Sequence, residues 1–169
     1  MDIQQTIIVG IVSSIIASLV FYSLMIMIKP RFIISDRICL KRVSADEYDY
    51  IIKVANLTRS FITNVNYSLI YCEVREDGLK DIHTIAPLKP PIMNISKYSA
   101  KNTDYAVRLT YRIKNSEYKI DESSYFLFTF QAHHSFSNSM GIQEKIYRKS
   151  DLQEGIFETG KSTKILSQR

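Results

Sequence analysis

The side chains of this 169-residue chain that could do chemistry are few and badly spaced for catalysis. Its histidines are His83, His133 and His134. The last two are adjacent, and neighbours on an extended strand point to opposite faces, so they do not chelate one ion together. The thiols, Cys39 and Cys72, sit inside strand-like patterns, lack zinc-ligand spacing and read as buried structural cysteines. No H-E-x-x-H, G-x-S-x-G, Walker loop or dinucleotide glycine fingerprint is present. The expectation is a non-enzymatic protein without metal or cofactor.

Three constellations read as binding features. Lys29, Arg31, Arg37, Lys41 and Arg42 form a basic run suited to anionic lipid headgroups, or to topology alone. Arg108, Arg112 and Lys114 recur at even spacing, on one face of a strand whose other face is apolar. There they could hold an anionic ligand, with nearby tyrosines to stack a base, or simply form a solvated sheet face. The loop 135–141 (SFSNSMG) is either a ligand loop or an ordinary hairpin.

The elements that must position these groups divide sharply. Residues 7–28 (IIVGIVSSIIASLVFYSLMIMI) carry no charge, and 13 of these 22 positions are Ile, Val, Leu or Phe. As a helix the run rises about 33 Å, enough for a hydrocarbon core of ~30 Å. The leader MDIQQT has no basic residue, the core is too long for a signal peptide, and no small-residue cleavage site follows, so a retained anchor is expected. All 22 basic residues and 16 of the 17 acids follow the run, leaving a remainder of net charge +6. Positive charge on that flank predicts an inner-membrane, single-pass protein, with residues 1–6 outside and the C-terminal part in the cytoplasm. Two unpaired cysteines suit a reducing compartment.

Within the helix, Gly10, Ser13, Ser14, Ala17 and Ser18 draw one stripe of small residues containing a small-xxx-small repeat. Such a stripe permits close helix packing and homo-oligomers. The alternative is that each serine bonds its own preceding turn and the stripe faces lipid.

After Pro30 the hydrophobic period changes from 3.6 to 2. Strands are predicted over 31–42, 48–54, 65–71, 81–86, 105–113, 125–134 and 141–147, with a short one at 155–159. Residues 76–78 (EDG) mark a hairpin. Brief helical turns are expected at 44–47 and 151–154, and a loosely held polar tail at 161–169. Seven or eight strands with turns between them predict an all-β domain over 29–160, an antiparallel β-sandwich or small β-barrel.

The run VGIVSSIIASLVFYSLMIMIKPR, the strand-loop-strand IIKVANLTRSFITNVNYSL and the stretch TFQAHHSFSNSMGIQEKIYRKSDLQEGIFETG resemble small prokaryotic proteins with one N-terminal membrane helix and a cytosolic all-β domain. Some of these are membrane effectors of antiviral defence systems. The resemblance implies a cytosolic domain that senses a nucleotide second messenger or a protein partner, and helices that perturb the inner membrane; it carries over no site residue. A membrane-tethered adaptor is the alternative. Direct duplex DNA binding is not expected.

Overall fold

The computed structural model describes residues 3–167 except 76, 115 and 119. A single helix, α1 (Ile3–Met27), precedes a β-rich domain. Its segment Ile3–Met25 has a mean hydropathy of 2.4 and no part of it is buried by the rest of the chain. By length and composition it can cross a membrane. The helix starts four residues before the expected Ile7 because Gln4, Gln5 and Thr6 are compatible with helical backbone. It ends before Pro30, which lacks an amide hydrogen and disfavours helix in the residue before it.

Eleven strands follow among the described residues: β1 (Phe32–Ile34), β2 (Ile38–Arg42), β3 (Glu47–Asn56), β4 (Ile62–Val74), β5 (Lys80–Ile85), β6 (Ala106–Lys114), β7 (Ser124–His134), β8 (Met140–Tyr147), β9 (Leu152–Glu154), β10 (Ile156–Phe157) and β11 (Ile165–Leu166). In the first sheet β3 is central, with β6 along one side, β1 and β2 end to end along the other, and β9 outside β2. The second sheet runs β5-β4-β7-β8, all antiparallel. β10 and β11 form a separate hairpin. The two larger sheets do not close into a barrel.

Alternation decides which residues meet between them. Tyr50, Ile52 and Val54 of β3 and Leu109, Tyr111 and Ile113 of β6 face Leu69 and Tyr71 of β4 and Phe126, Phe128 and Phe130 of β7. Burying each of these side chains is worth about 1.5–3 kcal/mol. Burial pushes the Tyr50 hydroxyl up to about 12, and raises Tyr111 and Tyr147 further still. Tyr147 donates to the Ser35 carbonyl at 2.7 Å, whereas the Tyr111 hydroxyl has no hydrogen-bond partner among the described residues. The expected hairpin turn holds at Asp77 and Gly78, where Gly78 takes φ 80° and Asp77 accepts from the Leu79 amide; residue 76 lies outside the described residues.

Four details differ from the sequence expectation. The strand over 31–42 is broken at 35–37, where two extra residues are accommodated opposite β3 and the buried Ser35 bonds the backbone of Lys53 in both directions. Residues 44–46 are bends, not a helical turn, and Glu47 already belongs to β3. At 151–154 the helical turn is a 3-10 turn over Lys149–Asp151, after which β9 pairs parallel to β2, with Ile38 opposite Leu152. The tail is not loose: β11 pairs with β10, and only 168–169 lie outside the described residues.

Candidate functional site

Arg108, Arg112 and Lys114 do share the face of β6 opposite Leu109, Tyr111 and Ile113. The structure nevertheless gives them different fates. Arg112 lies opposite Asp49 and forks onto it, with Nε donating to Oδ1 at 2.9 Å and Nη2 to Oδ2 at 3.3 Å. That hydrogen-bonded carboxylate raises the guanidinium above its ordinary value and already neutralises its charge. Lys114 stands opposite Glu47 at the end of the strand, two positions beyond Arg112. Arg108 alone is beside another cation, its cross-strand partner Lys53.

Lys53 was missed by the sequence reading because it sits in a run of apolar residues on the central strand. Its side chain is only 2% exposed. The hairpin β10–β11 folds over this face of the sheet and makes the burial tolerable. Lys53 Nζ donates to the carbonyls of Glu158 at 2.5 Å and Ser162 at 2.7 Å, and lies 6.0 Å from the Phe157 ring centre. Arg108 Nη2 donates to the Phe157 carbonyl at 3.0 Å, and Cys39 Sγ to the Gly155 carbonyl at 2.9 Å. Desolvation first, then the Arg108 charge, lowers the Lys53 ammonium, and Glu158 acts in the opposite direction. Burial also pushes the Cys39 thiol up, with the Arg108 charge acting in the opposite direction.

Beside this pair opens a cleft of about 420 Å³, lined by Lys53, Lys89, Arg108, Thr103, Ala106, Thr159 and Gly160. Three cations and two hydroxyl-bearing side chains line it, and no carboxylate does. An ammonium has three donors and a guanidinium five; Lys53 spends two on carbonyls and Arg108 one. The remainder suits a phosphate or carboxylate.

The other candidate groups scatter. His133 and His134 do face opposite ways, and His134 Nδ1 accepts from the amides of Phe136 and Ser137, which shapes the following loop. His83 packs near Tyr71 and Tyr118. No group of three or more metal-ligating side chains comes together among the described residues. In the basic run, Lys29 and Arg31 sit at the end of α1, but β1 and β2 carry Arg37, Lys41 and Arg42 progressively away from it, and Arg37 bonds Gln153 at 2.7 Å. The 135–141 loop proves to be a junction: Ser137 and Ser139 both donate to the carbonyl of Ile28. On α1, Gly10, Ser13, Ser14, Ala17 and Ser18 are all exposed, and Ser18 donates to the Ser14 carbonyl at 2.8 Å, a local back-bond.

Compared with models of protein families and with curated proteins, the chain matches none.

Proposed function

We propose that this is a non-enzymatic, single-pass membrane protein whose β-domain lies in the cytoplasm and senses an anionic ligand in the Lys53–Lys89–Arg108 cleft. The observation that carries the reading is the cleft itself: two neighbouring cations on paired strands, a third at its rim, and no carboxylate in its lining. Like charges side by side raise the free energy of the empty site, and an anion relieves that cost. Its volume falls in the range of small-molecule pockets, which fits a nucleotide second messenger. The cleft's cover is the β10–β11 hairpin, so occupancy bears directly on how that hairpin is held.

The output of such a sensor would be an antiviral-type membrane effect, in which α1 helices from several copies associate through Gly10, Ser14 and Ser18 and perturb the inner membrane. A ligand drives this only if it binds the associated state better than the dispersed one. The test is calorimetry of the detergent-solubilised full chain with pyrophosphate and with mono- and dinucleotides. Lys89→Ala with Arg108→Ala should weaken binding tenfold or more, since charged hydrogen bonds contribute roughly 1.5–3 kcal/mol each. Equal affinity in wild type and double variant would remove the cleft from consideration.

A second reading is a membrane-tethered adaptor. It is favoured by the outer face of the β5-β4-β7-β8 sheet, where Ile82 is 62% and Ile146 56% exposed beside Ile70 and Leu127. Contiguous exposed apolar surface marks protein docking.

A further inference from the structure

Segments 28–31, 57–61, 96–98 and 135–140 meet at the end where α1 enters. Leu57 N donates to the Arg31 carbonyl at 2.7 Å and Arg31 N to Thr58 Oγ1 at 2.8 Å; Tyr98 N reaches the Thr58 carbonyl and Ser135 N the Phe61 carbonyl. These four segments contain Lys29, Arg31, Arg59 and Lys97 and not one acid. The opposite end, reached by β4, β6 and β7, mixes both signs: Asp46, Glu47, Asp77, Glu117, Asp121 and Glu122 stand there with Arg42, Arg75, Lys80, Lys114, Arg148 and Lys149.

The basic end is also where apolar side chains stand out from loops that are firmly built. Phe136 is 65% and Phe61 50% exposed, with Leu57 close behind. Yet the loops beneath them are fixed. The fully buried Asn56 donates to the carbonyls of Ser60 and Ser96 and accepts from the Thr58 amide, while His134 Nδ1 accepts from the amides of Phe136 and Ser137. Ser137 and Ser139 grip the Ile28 carbonyl, and a cleft of about 470 Å³ opens between Phe21, Tyr22 and Met25 of α1 and Ser137, Ser139 and Met140 of the loop. The loop is therefore level with the last two turns of the helix, about 10 Å of its length.

We infer that this end of the domain is a membrane-docking surface, in which Phe136 and Phe61 enter the interfacial layer while Lys29, Arg31 and Arg59 contact anionic headgroups. Phenylalanine on an otherwise basic surface favours that layer, and basic residues are drawn to an anionic leaflet. Any bilayer crossed by α1 must pass at the height of the 135–140 loop, which supplies the occupant. The inference rests on α1 being a membrane anchor, and the test separates the two.

The chain contains no tryptophan, so single substitutions are clean reporters. Full-length Phe136→Trp, Phe61→Trp, Leu19→Trp and Leu79→Trp would each be reconstituted in vesicles of phosphatidylcholine, alone or mixed with phosphatidylglycerol, carrying bromine at shallow or deep acyl positions. Leu19→Trp should be quenched best by deep bromine. Phe136→Trp and Phe61→Trp should be quenched best by shallow bromine, several-fold more than Leu79→Trp at the far end, and more strongly with phosphatidylglycerol. Quenching at 19 without quenching at 136 and 61 overturns the docking surface and keeps the anchor. No quenching at 19 overturns both. Equal quenching with the two lipids overturns the headgroup contacts.

Discussion

The two outer faces of the sandwich have been treated in opposite ways. The face bearing Cys39, Ile51, Lys53 and Arg108 is covered by the β10–β11 hairpin, and its buried charge is satisfied by carbonyls of that hairpin. The face bearing Ile82, Ile70, Leu127 and Ile146 has no such hairpin over it, and Ile82 and Ile146 are exposed. The covered face is thereby left with a polar cleft lined by Lys53, Lys89 and Arg108, whereas the bare face keeps isoleucines in the open.

The largest expected effect strikes the core that both faces share. Unfolded tyrosines ionise near pH 10, whereas Tyr50, raised to about 12, and the further raised Tyr111 and Tyr147 keep their protons in the folded chain. Their contribution is complete below pH 10 and is lost as the pH rises above it, at roughly 1.4 kcal/mol per pH unit for each tyrosine. Lys53 works in reverse: its lowered value means that the unfolded chain holds the extra proton below 10.5, so stability climbs with pH there. The raised Cys39 thiol works with the tyrosines from about pH 9, so melting curves above that pH should fall, most steeply above 10, and Lys53→Met should steepen the fall.

The next effect separates the faces. Phe157 is 3% exposed under the hairpin, and Phe157→Ala should cost about 3 kcal/mol. It should also open Cys39 to a thiol reagent while leaving Cys72, which lies under the opposite face between Ile82 and Tyr125, at its original rate. Equal acceleration at both thiols would mean that the hairpin is no local cover but part of the global fold. The smallest effect belongs to the bare face. Ile82→Lys with Ile146→Lys should change stability by less than about 0.5 kcal/mol each, because both side chains already stand in water. A much larger loss on denaturant titration would show that the face contributes to the fold rather than awaiting a partner.

Much of this architecture was legible from alternation. The pattern of Val107, Leu109, Tyr111 and Ile113 against Arg108, Arg112 and Lys114 named both faces of β6 correctly, and Phe126, Phe128 and Phe130 mark the buried side of a strand that is central. The break at 35–37 was not legible, because a bulge leaves a hydrophobic run looking continuous. Neither was the hairpin pairing of Ile156 and Phe157 with Ile165 and Leu166, two short strands held by long-range contacts rather than by local preference. The candidate site suffered for the same reason. Arg108 was visible, but its partners Lys53 and Lys89 lie 55 and 19 positions earlier in the chain, and only strand pairing and the folding of the loop before β6 bring them together.

The grip of Ser137 and Ser139 on the Ile28 carbonyl, with Gly141 so near Pro30 that an added Cβ would sit 2.8 Å from its ring, leaves no swivel between rod and head. Twisting α1 about its long axis must then sweep the whole head around like a key turned by its shaft. When several such rods pack side by side, the azimuth chosen in the lipid dictates which flank each head shows its neighbours. Inserting a few glycines between Ile28 and Lys29 would uncouple the two, leaving any lateral pairing of rods intact while scrambling the arrangement of heads.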